Sequence, residues 1–164
     1  MTFAPAPNPV LSLPINAEVG VSEWIVVDQA MIDAFAAATR DPDPMHINPR
    51  WAAANGPYGG TIAFGFLTIS LLTHLLHSAT GTAPSDDAAS QGHYLNYGFD
   101  RLRLVAPVPT GSRIRGRFVK QRQEQDEKGR WLTTFGCTIE IEGVERPALV
   151  ADWLSIWVPP QDAH

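Results

Sequence analysis

The sequence lacks the features that mark disulfide-stabilised, zinc-stabilised and secreted proteins. It has one cysteine, Cys137, among 164 residues, which excludes an internal disulfide framework, and no His/Cys spacing matches a structural zinc site. Residues 1–20 are interrupted by four prolines and lack the charged start and continuous apolar core of a signal peptide. We therefore expect one domain in a reducing, cytoplasmic compartment, without a metal and preceded by an extended arm over residues 1–20.

Basic residues are also scarce. The chain has 12 Lys and Arg against 17 Asp and Glu, a net charge of −5, whereas a domain that binds nucleic acid normally carries a basic surface. The longest apolar run, residues 62–76, is too short and too interrupted by glycine and polar residues for a membrane span. These absences favour a small-molecule or protein partner over nucleic acid or a membrane.

The hydrophobic pattern predicts an α+β fold. Residues 21–27 form a strand pattern that ends at Asp28, a good N-cap for a helix ending near Thr39. Four more strand patterns follow residue 92, and their short connections favour an antiparallel sheet; they cover residues 94–104, 112–121, 132–141 and 147–158. Because residues 62–76 are apolar on nearly every side, we expect a central helix enclosed by this sheet. Residues 79–92 are small and polar, typical of a mobile loop or lid.

The segment from Asp41 to Gly65 contains the candidate chemistry. Asp41 and His46 stand five positions apart, and Pro42 and Pro44 fix their own φ angles and favour extended residues before them. We therefore predict a shaped loop here and not a helix. A carboxylate and an imidazole on such a loop suit general acid/base catalysis, because histidine titrates near neutral pH.

The order of these features resembles the MaoC-like dehydratases and (R)-specific enoyl-CoA hydratases of the hot-dog fold, in which an antiparallel sheet wraps a central helix. The resemblance rests on Phe35-Ala36, Asp41, the run from His46 to Pro49, and the run from Gly59 to Leu67. Residues 95–112 are similar to the nodulation-protein-N-like branch of that family. The resemblance covers residues 22–158, and we expect a single hot-dog domain over 21–158 with a tail over 159–164.

The resemblance implies hydration of trans-2-enoyl thioesters, or the reverse dehydration of (R)-3-hydroxyacyl thioesters. It implies that Asp41 and His46 hold a water and that the Gly65 amide is the oxyanion donor, with Gly60, Thr61 and Thr73 binding substrate. No cofactor is expected, because coenzyme A or the pantetheine of an acyl-carrier protein belongs to the substrate. It also implies a homodimer.

Two positions depart from the family pattern. Phe64 stands where the family usually has histidine, and Asp43 stands where a neutral polar residue is common. The second carboxylate, at Asp43, either raises the pKa of one carboxyl group of the Asp41/Asp43 pair by like-charge repulsion or points to solvent. These departures favour one alternative, a non-catalytic acyl-thioester binding module. A second alternative is a hot-dog thioesterase, in which a carboxylate would activate water to attack the thioester carbonyl.

Three further groups have ordinary structural interpretations. Arg113, Arg115 and Arg117 alternate on one strand face, which predicts a solvated face or, as an alternative, a contact with phosphates or an acidic carrier helix. His74 and His77 are expected to cap or pack the end of the central helix. The tryptophans of the last strand are expected to pack in a core or interface; they are Trp153 and Trp157.

Overall fold

The computed structural model describes residues 8–82 and 91–160. The elements are α1 (Pro9–Ser12), β1 (Glu18–Val21), β2 (Ile25–Val26), α2 (Gln29–Thr39), α3 (Pro44–Ile47), α4 (Pro49–Asn55), α5 (Gly65–Ser70), α6 (Leu72–Thr80), β3 (His93–Leu104), β4 (Arg113–Gln125), β5 (Trp131–Ile141) and β6 (Val144–Val158). Within these ranges the strands form one antiparallel sheet in the order β1-β4-β5-β6-β3, and β2 pairs with β4. The α+β prediction is confirmed.

Alternation along the strands places one face of the sheet on the core. On β5, Phe135, Cys137 and Ile139 are buried and belong to one cluster with Leu67 and Leu75 of the helices. The predicted strands 94–104, 112–121, 132–141 and 147–158 are all present. The second begins one residue later and ends four residues later than predicted, and the other three begin one to three residues earlier. The strand predicted over residues 21–27 is interrupted after Val21. The Ser22 amide still donates to the Gly116 carbonyl at 2.8 Å, but the Gly116 amide donates to the Ser22 hydroxyl, at 2.9 Å, in place of a backbone carbonyl.

The central helix differs from the prediction in its limits and its exposure. It begins at Gly65, since Ile62 forms a β-bridge with Pro109 and the Ala63 amide donates to the Val108 carbonyl. It is divided at Leu71 into α5 and α6. The expectation of enclosure on all sides is wrong for the single chain, because Phe66 is 75% exposed.

The prediction of a non-helical loop after Asp41 is also wrong. Residues 44–47 form the short helix α3, on which His46 lies. Proline is tolerated at the first position of a helix, where its missing N–H would have no partner. Asp43 is the N-cap, and its carboxylate accepts a hydrogen bond from the Met45 amide at 2.9 Å. Pro44 therefore starts a helix here instead of preventing one.

The predicted extended arm contains regular structure in its described part. Residues 9–12 form α1, and Glu18–Val21 form β1, which joins the sheet beside β4. Buried Lys120 fixes this segment, because its ammonium donates hydrogen bonds to the carbonyls of Val10, Leu11 and Leu13 at 2.7–3.1 Å. Most of the loop predicted over residues 79–92 lies outside the described residues. No helix in the described ranges combines the length and apolar character that crossing a membrane requires.

Candidate active site

His46 is a buried histidine held in one orientation. Only 9% of the residue is exposed, and its Nδ1 lies 2.7 Å from the carbonyl oxygen of Ile62. Because a carbonyl oxygen can only accept, Nδ1 must carry the proton of this hydrogen bond. In the neutral imidazole, Nε2 is then left with a lone pair that can accept a hydrogen bond or a proton.

Aromatic packing supports the same imidazole from one side. The His46 and Phe64 ring centroids are 3.9 Å apart, and the planes are inclined by 33°. Phe64 in turn contacts Phe35 of α2, with centroids 5.3 Å apart. Phe64, which stands where the family pattern has histidine, therefore forms an apolar wall for His46.

A hydrogen-bond network holds the backbone of α3. The side-chain amide of Gln29 donates to the His46 carbonyl at 2.8 Å, and its oxygen accepts from the Thr61 hydroxyl at 2.7 Å. Thr110 extends the network, with its hydroxyl 2.8 Å from that of Thr61. Sequence reasoning missed Gln29, which carries no motif signal of its own. Thr61 connects the glycine segment to α3, while its predicted contact with substrate stays a prediction.

Asp41 lies in the turn between α2 and α3 and is exposed. Arg40 ends α2 with a left-handed φ of 59°, and the Asp41 amide then donates to the Ala36 carbonyl at 3.1 Å. The Asp41 carboxylate accepts a hydrogen bond from the Asp43 amide at 3.3 Å. The Asp43 carboxylate is engaged as the cap of α3. The turn thus presents one carboxylate, that of Asp41, at the entrance to the helix that carries His46.

Gly65 begins α5 directly after Phe64. Within the part of the chain that the structure describes, no side chain caps the first turn of this helix, so its amide groups remain available to an acceptor. A Cβ atom at Gly65 would come within 2.3 Å of Cδ1 of Leu104. Nothing lies within 4 Å of the corresponding position at Gly60. The space beside the Gly60 backbone is therefore open, whereas the Leu104 side chain fills the space beside Gly65. The predicted substrate contacts of both glycines stay predictions.

Thr73 lies apart from these groups, on the exposed face of α6. Eight residues of helix separate it from Gly65, which corresponds to about 12 Å. Thr73 borders a cavity of about 390 Å³. The cavity is lined by residues of α1, the end of α6, β3 and β6: Asn8, Pro9, Val10, Thr73, Leu76, His77, Thr80, Thr82, Gln91, Gly92, His93, Tyr94, Asn96, Trp153, Ser155 and Trp157.

The arginine row of β4 is occupied by ion pairs. Arg113 pairs with Glu142 at 2.8 Å, and Arg115 pairs with Glu140 at 2.6 Å. Arg117 contacts both Glu140 and Glu18. Because acidic side chains already neutralise these guanidinium groups, the solvated-face interpretation is favoured over a phosphate site.

A model of the MaoC-like domain matches residues 11–135. Nodulation protein N from Rhizobium leguminosarum bv. viciae is 48% identical over 142 residues, which cover 87% of this chain and 85% of the relative. 3-Hydroxyacyl-thioester dehydratase Z from Mycobacterium tuberculosis is 38% identical over 142 residues, which cover 87% of this chain and 89% of the relative. The structure of the MaoC-like dehydratase from Rhodospirillum rubrum is 19% identical in sequence, with a TM-score of 0.72. The superposition covers 93% of this chain and 97% of that structure.

These matches extend over most of the chain and include the Asp41–Gly65 segment. The agreement with the solved structure shows the hot-dog fold. The chain therefore belongs to the MaoC-like family of hot-dog proteins.

Proposed function

We propose that this protein is an (R)-specific hydratase of trans-2-enoyl thioesters, which also catalyses the reverse dehydration of (R)-3-hydroxyacyl thioesters. The thioester of coenzyme A or of an acyl-carrier protein is the substrate, and no cofactor takes part. The observation that carries the proposal is the hydrogen bond from His46 Nδ1 to the Ile62 carbonyl, which directs Nε2 away from that carbonyl.

The two titratable groups then have compatible roles. The Asp41 carboxylate and the neutral His46 Nε2 are both acceptors, so a water between them donates one hydrogen bond to each. Its oxygen keeps its lone pairs for attack at C3 of the enoyl group. One of the two groups takes the proton of the O–H bond that breaks as the C3–O bond forms, and a proton from the same pair of groups then forms the new C2–H bond.

Charge develops on the thioester oxygen during this addition. The electrons of the double bond move toward that oxygen to give an enolate, which needs a hydrogen-bond donor at close range. The Gly65 amide is the proposed donor, because it lies in the first turn of α5, which no described side chain caps. It also follows directly after Phe64, whose ring packs against His46. Glycine permits the close approach that a side chain would obstruct.

We further propose that a second copy of the chain covers the β3 edge. β3 is an outer strand of the sheet, and an unpaired strand edge offers free N–H and C=O groups. Several large apolar side chains are exposed on it, with exposures of 44% for Leu95, 65% for Tyr97 and 38% for Phe99. Such a surface favours association over exposure to water.

The reaction can be tested by following the loss of the ultraviolet absorbance of trans-2-butenoyl-CoA. We expect Asp41→Asn and His46→Ala each to lower kcat/KM by about 10²-fold or more, in line with the loss of an acid/base group. His74→Ala removes an exposed histidine of α6 and is the matched control. Parental rates in both folded active-site variants would show that the assigned mechanism is wrong.

The same preparations separate the two alternatives. A thioesterase would release free coenzyme A, which a colorimetric thiol reagent detects, whereas hydration leaves the thioester intact. Cys137 does not interfere, because it is buried and burial raises the pKa of its thiol. A non-catalytic binding module would gain thermal stability with acyl-CoA but would turn over no chain length.

A further inference from the structure

The side-chain amide of Gln29 connects α2 with α3 and with the segment that precedes α5. Gln29 is the first residue of α2 and is half-buried. Its Nε2 donates to the His46 carbonyl and to Asp33 Oδ1, each at 2.8 Å. Its Oε1 accepts from the Thr61 hydroxyl at 2.7 Å. Both N–H groups of the amide and one lone pair of its oxygen are therefore in use.

The partners of this amide permit only one orientation of it. The His46 carbonyl and the ionised Asp33 carboxylate can only accept hydrogen bonds, so the amide nitrogen must face both of them. The amide oxygen then faces the Thr61 hydroxyl, which donates to it. A flipped amide would place its oxygen against two other acceptors and lose two hydrogen bonds. Gln29 is therefore held firmly in the orientation that binds α3.

The contacts of Gln29 and the imidazole hydrogen bond form one closed ring. Gln29 binds the backbone of His46 on one side and the side chain of Thr61 on the other. Thr61 is followed directly by Ile62, whose carbonyl accepts from His46 Nδ1 at 2.7 Å. Gln29 therefore holds both chain segments that make the imidazole hydrogen bond, the one that carries the donor and the one that carries the acceptor.

Apart from this ring, α3 is bonded only weakly to residues 60–63. Within the described ranges, the one other hydrogen bond between them runs from the Ile62 amide to the Met45 carbonyl, at 3.4 Å. The usual length of such a bond is about 2.9–3.0 Å. Residues 61–63 are fixed independently, because the Ala63 amide donates to the Val108 carbonyl at 2.8 Å and the Thr110 amide donates to the Thr61 carbonyl at 3.0 Å. Loss of the Gln29 amide would therefore loosen α3 relative to a segment that stays in place.

A displacement of α3 would change the state of the His46 imidazole. In a neutral histidine the proton occupies one of the two ring nitrogens, and the hydrogen bond that a nitrogen makes decides which one carries it. The proposed hydration requires the proton on Nδ1, since Nε2 must accept from the attacking water. A proton-transfer group must also lie within hydrogen-bond reach of its target, so a small displacement of the imidazole lowers the rate steeply.

We propose that Gln29 is a positioning residue of the hydration reaction. It holds the His46 imidazole in the tautomer with the proton on Nδ1 and in the orientation that hydration requires, without contacting the substrate itself. Thr61 belongs to the same ring, because its hydroxyl binds the amide oxygen of Gln29. This inference rests on the proposed hydratase function.

Gln29→Glu tests the proposal, because it replaces the amide by a carboxylate of the same shape. The carboxylate can still accept from Thr61, but it places an acceptor against the His46 carbonyl and loses that hydrogen bond. The variant should fold, since a negative charge at the first position of a helix interacts favourably with the helix dipole. Gln125→Glu is the matched control, because it makes the same change at an exposed amide that donates to the Gly129 carbonyl at 3.2 Å.

The kinetic test uses trans-2-butenoyl-CoA. We expect Gln29→Glu to lower kcat by about tenfold to 10²-fold, the effect of misplacing a catalytic group, and to leave KM close to the parental value because Gln29 does not contact the substrate. Gln125→Glu should keep the parental kcat. The double variant Gln29→Glu/Asp33→Asn removes the repulsion between two carboxylates and should remain impaired, because the His46 carbonyl still faces an acceptor. Recovery of the parental kcat in the double variant would overturn the proposal.

A spectroscopic measurement without substrate separates this role from the reaction. Proton–nitrogen correlation spectra of the parent should contain a His46 Nδ1–H signal that exchanges slowly with water, because the group is buried and hydrogen-bonded. His46→Ala identifies the signal by its disappearance. The signal should weaken or vanish in Gln29→Glu and persist in Gln125→Glu.

The spectra and the rates together decide between the outcomes. A purely structural role of Gln29 would lower the melting temperature of Gln29→Glu but leave the His46 signal of the folded protein unchanged. A parental His46 signal in Gln29→Glu would therefore overturn the proposal. Loss of the signal in Gln29→Glu, with a parent that hydrates no enoyl-CoA, would support the positioning of His46 and overturn only the reaction.

Discussion

The imidazole of His46 packs against the ring of Phe64, with ring centroids 3.9 Å apart. Phe64 is 5% exposed and lies directly before Gly65, the proposed oxyanion donor. One apolar residue therefore packs against the histidine and is the N-cap of the helix that offers the amide. At the position where the family pattern has histidine, this chain uses packing in place of a polar contact.

Replacement of Phe64 by leucine should reduce catalysis more than stability. Leucine keeps the site apolar but removes the aromatic contact, so we expect a loss of about 1 kcal/mol in the free energy of unfolding. Because small misplacement of a catalytic group is costly, kcat/KM for butenoyl-CoA should fall by about 10²-fold. Phe35→Leu loses a contact with Phe64 but none with His46, and it is the control for kinetics and urea unfolding. Parallel losses of activity in the two variants would contradict an orienting role for Phe64.

Gly65→Ala should obstruct the approach of the thioester to the backbone. The new Cβ would come within 2.3 Å of Leu104 Cδ1, the flexible end of a side chain that must then move. We expect kcat/KM to fall by about 10²-fold, comparable to the loss of one oxyanion donor. The double variant Gly65→Ala/Leu104→Ala relieves the internal clash and should regain thermal stability without regaining activity. Recovery of activity in the double variant would show that only the packing against Leu104 requires glycine.

Tyr97→Lys should convert the proposed dimer into monomers. Tyr97 is 65% exposed on the outer strand β3, and a lysine there places charge on the surface that the second copy would cover. Molar mass from light scattering during size-exclusion chromatography measures the change. Val144→Lys alters an exposed apolar residue at the β5–β6 turn, 48% exposed, and should leave the mass unchanged. A monomeric parent protein, or a Tyr97→Lys variant with the parental mass, would disprove this interface.

Glu140 should make the stability depend on acid pH. Burial acts to raise its pKa, but hydrogen bonds from Arg115 and Arg117 outweigh burial, so the pKa of Glu140 is lower than its ordinary value. A lowered folded-state pKa stabilises the protein above the unfolded-state pKa, and this contribution is lost as the pH falls through the folded-state pKa.

Glu140→Gln should therefore be less stable than the parent at pH 7, by about 0.5–1 kcal/mol for a partly exposed pair. The difference should shrink at pH 3, below the ordinary glutamate pKa of about 4.3. Urea unfolding at both pH values and one protein concentration measures it, with Glu127→Gln in the β4–β5 turn as the control. A difference that stays constant between pH 7 and pH 3 would show that the ionised Glu140 is not the cause.

Several features could be read from local patterns because their causes are local. Alternation predicted the long strands, and Asp28 was predicted as the N-cap of α2, where its carboxylate accepts from the Met31 amide at 2.8 Å. The same kind of reasoning failed at residues 44–47. Two prolines favoured a loop there, but Pro44 at the first helical position and Asp43 as a cap make a helical turn favourable. Helix-starting and helix-breaking prolines look alike until the cap is known.

The sequence by itself determined the fold class, the strand pattern, the family resemblance and the order of Asp41, His46 and Gly65 along the chain. Only the tertiary structure decided that His46 Nδ1 binds the Ile62 carbonyl, that Phe64 packs on the imidazole, that Gln29 holds α3, and that the Lys120 ammonium binds the Val10 carbonyl. The reason is physical. Periodicity and capping act between neighbours in the chain, whereas these contacts join residues 16 to 110 positions apart that only the completed fold brings together.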